Sequence, residues 1–123
     1  MTRARRALGR RGEEVAAEVL RRRGWRILAR NYRCPLGELD LVAEEGDVVV
    51  FVEVKTRRGS KAGSAAEAVG PGKRRRLLRL ARYFLAVHGL TERACRFDVV
   101  SLTVAPGRVR VALLRDAFAE EAW

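Results

Sequence analysis

Histidine is almost missing from this chain, His88 being the single one, and the two cysteines, Cys34 and Cys95, stand far apart with no CxxC pair between them. Zinc sites and histidine-based nuclease motifs are therefore poorly supplied, and isolated residues of these types are expected as packing or surface positions. No apolar run approaches a membrane span, and the opening Met-Thr-Arg-Ala-Arg-Arg has no apolar stretch of signal-peptide length, so a cytoplasmic protein without a membrane partner is expected. A phosphate loop is missing as well: Gly70-Pro71-Gly72-Lys73 is followed by Arg74 where Ser or Thr is required, and no glycine stands in the position five before Gly72. Acidic residues are scarce, 15 against 26 Lys and Arg, which leaves a net charge of +11. Such a surplus points to a polyanion, most commonly nucleic acid, although an acidic membrane or ribosomal RNA would attract the same surface.

The few acids are placed unusually. Glu38 and Asp40 open one apolar run (Leu39, Leu41, Val42), and Glu53 with Lys55 closes another (Val48 to Val52), a β-branched and aromatic pattern that predicts two strands. Gly46-Asp47 is the turn between them. A two-residue loop there sets Glu45 opposite Val48, pairing Asp40 with Glu53 and Glu38 with Lys55; a four-residue loop gives the same register. Alternation then puts Glu38, Asp40, Glu53 and Lys55 on one face with Val42, Val49 and Phe51, and Leu39, Leu41, Val50, Val52 and Val54 on the other. Carboxylates opposed across a strand pair repel unless a cation lies between them, and hard oxygen ligands suit Mg²⁺ or Mn²⁺. With Lys55 alongside, suited to a water nucleophile or a phosphate oxygen, the set matches metal-assisted phosphodiester hydrolysis. The plainer reading is a cross-strand salt-bridge cluster.

Glu13 lies on a helix from about Gly9 to Arg23, on the face of Ala16, Ala17 and Leu20, where a carboxylate needs a partner; the helix dipole is the other reason to find an acid in a first turn. Glu38 has three readings: metal ligand, salt-bridge partner of Lys55 (the preferred one), or a group that positions water. Cations flank the acids. Arg3, Arg5, Arg6, Arg10 and Arg11 come before, Arg57, Arg58 and Lys61 after, and Lys73-Arg74-Arg75-Arg76 opens a second helix where the dipole disfavours cations, which suggests phosphate contact or else a solvated charge run. Trp25 to Tyr32 reads as a strand, Gly59 to Gly72 as a loop, Leu77 to Leu85 as an apolar helical stripe ending near Gly89, and Phe97 to Leu114 as a closing hairpin through Pro106-Gly107. The order α-β-β-β-α-β-β over 123 residues predicts one α/β domain, a central mixed sheet flanked by helices.

Asp40 followed by Glu53-Val54-Lys55 resembles the D…(D/E)-x-K signature of the restriction-endonuclease-like superfamily. Gly12-Glu13, Arg30-Asn31-Tyr32-Arg33, Gly37 to Ala43, Phe51 to Arg57 and Arg96 to Val100 resemble in particular the bacterial YraN-like proteins, an uncharacterised family described as predicted endonucleases. A more distant similarity, through Gly9 to Glu13, is to archaeal Holliday-junction resolvases. Leu39 replaces the proline that often precedes the catalytic Asp. The resemblance implies a restriction-endonuclease-like domain over residues 1–123 that cuts or resolves DNA with Mg²⁺ or Mn²⁺. Asp40, Glu53 and Glu13 would be metal ligands and Lys55 a catalytic group beside them; the charge arrangement, not the resemblance, makes Arg10, Arg11, Arg57, Arg58, Lys73, Arg74, Arg75 and Arg76 the expected nucleic-acid surface. Asp98 recurs in the resemblance but reads as structural. The competing class is a binding module that keeps the fold without the chemistry, and a homodimer is left open.

Overall fold

The computed structural model describes the backbone over residues 3–58 and 70–117, and side chains from Arg10 onward within those spans. Lys61 and the rest of 59–69, and the side chains of Arg3, Arg5, Arg6 and Gly9, lie outside the described residues.

Helix α1 (Arg3–Arg22) begins before the expected Gly9 and stops ahead of Gly24, whose φ of 88° is a conformation that ends helices. Its inward stripe is made of small groups, Gly12, Ala16 and Ala17, then Leu20. This lets the helix lie close on the sheet. A Cβ on Gly12 would collide with Thr56 Oγ1.

The sheet contains β1 (Arg26–Cys34), β2 (Gly37–Glu45), β3 (Val48–Arg58), β4 (Cys95–Ala105) and β5 (Arg108–Leu114), in that spatial order. The β2–β3 hairpin has the register read from its turn, with Glu45 opposite Val48 and Leu41 opposite Val52; Gly46 supplies the positive φ, 56°. Strand β4 runs parallel to β3, a pairing no tight turn can make, and α2 (Pro71–Val87) lies in the crossover between them. Pro106-Gly107 joins β4 to β5 as a hairpin, as expected. The order α-β-β-β-α-β-β and the mixed sheet are those predicted.

Each face of the sheet has its own helix. Val42, Val49, Phe51, Phe97 and Val99 pack on Leu77, Leu80, Ala81 and Phe84 of α2, while Leu41, Ala43, Val50, Val52, Val100 and Leu102 pack on Ala16, Ala17, Leu20 and Trp25. Leu39 corrects the simple alternation: it is 2 % exposed on the α2 side with Val42, not on the α1 side with Leu41. The cause is local. Its rung joins it to Tyr32, beside Asn31, whose φ of 50° is a left-handed conformation few residues other than Gly, Asn and Asp adopt readily, so the β1–β2 ribbon turns over at the Asn31–Asp40 level. Among the described residues no helix is long and apolar enough to cross a membrane.

Candidate active site

That local turn coincides with a fork in the sheet. The β2–β3 ladder runs from Glu45–Val48 to Leu41–Val52; beyond it β2 stays with β1 as far as Gly37, and β3 stays with β4 as far as Arg58. Asp40 and Glu53 are the first residues past the split. The Asp40 carboxylate fills part of the gap, accepting the Val54 N–H on Oδ2 at 2.8 Å. The rungs expected for Asp40–Glu53 and Glu38–Lys55 are thus replaced by an open fork at which Asp40 and Glu53 meet, a side-chain oxygen having taken over a main-chain donor.

The electrostatics of the fork follow from burial. Asp40 is pushed up to about 7, first by loss of water, then by the neighbouring Glu53, with Glu13 adding to the rise; the Val54 N–H and the Lys73 ammonium oppose it. Glu13, half-buried on the inward stripe of α1, is also raised, by burial and by Glu38, against a lowering from Arg30, with Glu53 raising it further. Three acids from α1, β2 and β3 therefore sense one another. Asn31 adds a contact that reading the sequence alone did not assign: with its amide nitrogen turned toward Glu13 it donates to both carboxylate oxygens, at 2.6 and 3.1 Å. An Asn inside a strand-forming segment, a residue type that tolerates left-handed backbone, was the available signal.

The structure re-pairs two residues. Glu38 forms its ion pair with Arg33, at 3.5 Å, instead of Lys55, because past the fork β2 has β1 as neighbour and not β3. None of the ion pairs among the described residues involves Lys55, which is half-buried on β3 one alternation beyond Glu53. Glu53 is held by Lys73 of α2, Nζ to Oε1 2.5 Å, with side chains 24 % and 14 % exposed, so Lys73 belongs to the acidic fork as well as to the basic run. Arg10, Arg11, Arg58, Arg75 and Arg76 are exposed; Arg57 and Arg74 are half-buried. Asp98 is structural, as read: buried, it accepts from Arg96 and from the Asp116 N–H at 2.8 Å.

Asp40 and Glu53 are the residues that could hold a hard divalent ion. Asp40 keeps Oδ1 uncommitted to Val54, and Glu53 keeps Oε2 uncommitted to Lys73. Among the described residues no three His, Cys, Asp or Glu side chains stand close enough together to hold an ion unaided. Two carboxylates with water completing the shell is the ordinary manner of Mg²⁺, and Glu13 interacts electrostatically with both Asp40 and Glu53.

A five-stranded mixed sheet with one helix on each face, split at its β2–β3 pair around half-buried acids, defines a small α/β protein with an acidic fork. The chain belongs to Uncharacterised protein family UPF0102, matched over residues 12–102, in agreement with the YraN-like resemblance. It is 52 % identical over 114 residues to a UPF0102 protein of Symbiobacterium thermophilum, covering 92 % of this chain and 97 % of that one. A UPF0102 protein of Syntrophotalea carbinolica is 46 % identical over the full length of both chains. One from Frankia alni is 54 % identical over 117 residues, 94 % of this chain and 98 % of its own.

Proposed function

We propose that this protein is a metal-dependent endonuclease or structure-specific resolvase of the restriction-endonuclease-like type, hydrolysing phosphodiester bonds of DNA in the cytoplasm. The observation that carries the reading is the fork. Desolvated acids are set against one another where a ladder rung would otherwise be, an arrangement that costs stability and is relieved by a divalent cation.

Asp40 and Glu53 would hold the ion, with Glu13 assisting. Mg²⁺ or Mn²⁺, when bound, supplies activation of water and neutralisation of charge at phosphorus. Lys55, on the same strand as Glu53, orients the attacking water and stabilises the negative charge of the pentavalent transition state. Asn31 fixes the rotamer of Glu13 through both oxygens. The exposed cations Arg10, Arg11, Arg58, Arg75 and Arg76, with Arg57 and Arg74, hold the phosphate backbone, so binding depends on salt and little on sequence.

A non-catalytic binding module is the second reading, favoured by the Lys73–Glu53 pair, which neutralises one acid internally. A cleavage screen with Mg²⁺ and Mn²⁺ over duplex, flap, nicked, four-way and single-stranded substrates separates the two. Metal-dependent products from the wild type and none from Asp40→Ala support the enzyme. Equal products from both, or none from either while nucleic acid still binds, favour the module.

A further inference from the structure

We propose that Lys73 is a resident counter-ion on Glu53 that a divalent ion displaces, and that the released ammonium then becomes a positioning group for a substrate phosphate. The inference rests on the nuclease reading and names a residue outside the Asp40, Glu53, Lys55 set.

The contact itself is the first observation. The Lys73 ammonium lies on Glu53 Oε1, largely shielded from water, beside Asp40. A divalent ion on Glu53 and an ammonium on the same carboxylate repel strongly in such a poorly solvated place, so the two cations compete. Position on the helix is the second observation. Lys73 stands in the first turn of α2, which has no acidic residue there and no side-chain cap on Gly70. Main-chain N–H groups at that end disfavour a cation, so the helix does not hold Lys73 in place; Glu53 does. When Glu53 is engaged by a divalent ion, that hold is lost. The third observation is the company Lys73 keeps: Arg75 and Arg76, exposed on the same helix end, continue a positive surface onto which a lysine on a flexible stem can swing. Metal loading would thus convert an internal ion pair into one more external phosphate contact, coupling the two ligands.

Two measurements on the full chain test this. In the first, Mn²⁺ binding without nucleic acid is followed by calorimetry and by melting temperature for wild type, Lys73→Gln and Lys73→Arg. Removing the competing ammonium should tighten Mn²⁺ binding about tenfold or more, as expected for deleting a nearby like charge. Lys73→Arg should return it toward wild type. Unchanged or weaker binding by a folded Lys73→Gln variant, with the wild type binding Mn²⁺, overturns the role of Lys73 and leaves the metal site standing. Failure of both proteins to bind Mn²⁺ takes down the parent reading too. In the second, affinity for a short DNA duplex is measured across a salt series with and without Ca²⁺. With Ca²⁺ the slope of log affinity against log salt should be shallower in Lys73→Gln than in wild type by about 0.9, one phosphate contact, and without Ca²⁺ the slopes should coincide. Slopes that differ equally in both conditions, or in neither, overturn the transfer to phosphate.

Discussion

The two ends of the β2–β3 ribbon hold acidic side chains in opposite ways. At the turn end, Glu45 accepts from Arg115 at 2.7 and 3.1 Å and from Arg96 at 2.7 Å, Arg96 also grips the buried Asp98, and both guanidiniums lie over the Trp25 ring. Glu44 is paired with Arg93 and Arg26. At the fork, Asp40 and Glu13 sense other carboxylates, opposed by Lys73 and Arg30 respectively, and among the described residues Lys73 is the ion-pair partner of Glu53. A chain with so many arginines had no shortage of partners for the fork. Guanidiniums hold the acids at the turn end, whereas at the fork Arg33 takes Glu38, Arg30 acts on Glu13 from a distance, and Asp40 and Glu53 are left to the one ammonium of Lys73.

The difference predicts opposite responses to substitution. The largest effect belongs to the paired end: Arg96→Ala leaves Asp98 buried and charged with one main-chain donor, and should cost about 3–5 kcal/mol in denaturant unfolding. A loss under about 1 kcal/mol would mean that the paired end is not what holds the sheet together there. Next is chemistry at the fork. Lys55→Ala should lower cleavage about 10²- to 10³-fold, while metal binding and melting temperature stay near wild type, because no ion pair among the described residues is broken. A drop in metal affinity of the same size would make Lys55 a structural neighbour of the acids instead.

Asp40→Asn should act in the reverse direction, stabilising the metal-free protein. The Asn oxygen can still accept from Val54, and the charge that burial penalises is gone. The Asp40 carboxyl rises from 3.8 to about 7 on folding, so the proton it holds favours the folded state at low pH, and that contribution is lost as pH climbs from about 4 through 7. At pH 8 the gain from Asn should be about 2–4 kcal/mol at roughly 1.4 kcal/mol per pH unit of the rise, shrinking toward zero below pH 4. Mn²⁺ should stabilise wild type and not the variant, by about 2.7 kcal/mol at a hundredfold excess over its dissociation constant. A destabilised Asp40→Asn whose wild type ignores Mn²⁺ would make the fork a structural cluster.

The smallest effect has the opposite pH sign. Glu45 is held low, chiefly by the Arg115 hydrogen bond, so its contribution is present above the ordinary carboxylate range and lost as pH falls. Being partly exposed, it should be worth under about 1 kcal/mol; Glu45→Gln should flatten the acid limb of the stability curve without changing the limb between pH 5 and 8.

Much of this was legible in the sequence. The turn at Gly46-Asp47 fixed the hairpin register, because shifting it by one residue would bury charge on an apolar face, and the stripe of α1 placed Glu13 inward. What alternation did not reveal was the fork. Strand periodicity assumes that a ladder continues, and here a carboxylate competing for the Val54 N–H and a left-handed Asn31 end it, turning Leu39 to the other face and sending Glu38 to Arg33. Lys73 was legible as a cation at an awkward helix position but not as the partner of Glu53, since a contact between residues twenty apart depends on how the crossover helix docks on the sheet.

The Val54 amide gives the fork a clock. Its proton is held by a side-chain carboxylate rather than by a neighbouring strand, so its exchange with solvent is governed by the ionisation and motion of Asp40 instead of the opening of the sheet. In a ¹⁵N spectrum of the metal-free protein that one resonance should shift with pH around 7 and exchange faster than the amides of Val50 and Val52 on the same strand. An ion drawing Asp40 toward itself would either lengthen or tighten the bond, and the Val54 signal would register site occupancy without any substrate being known.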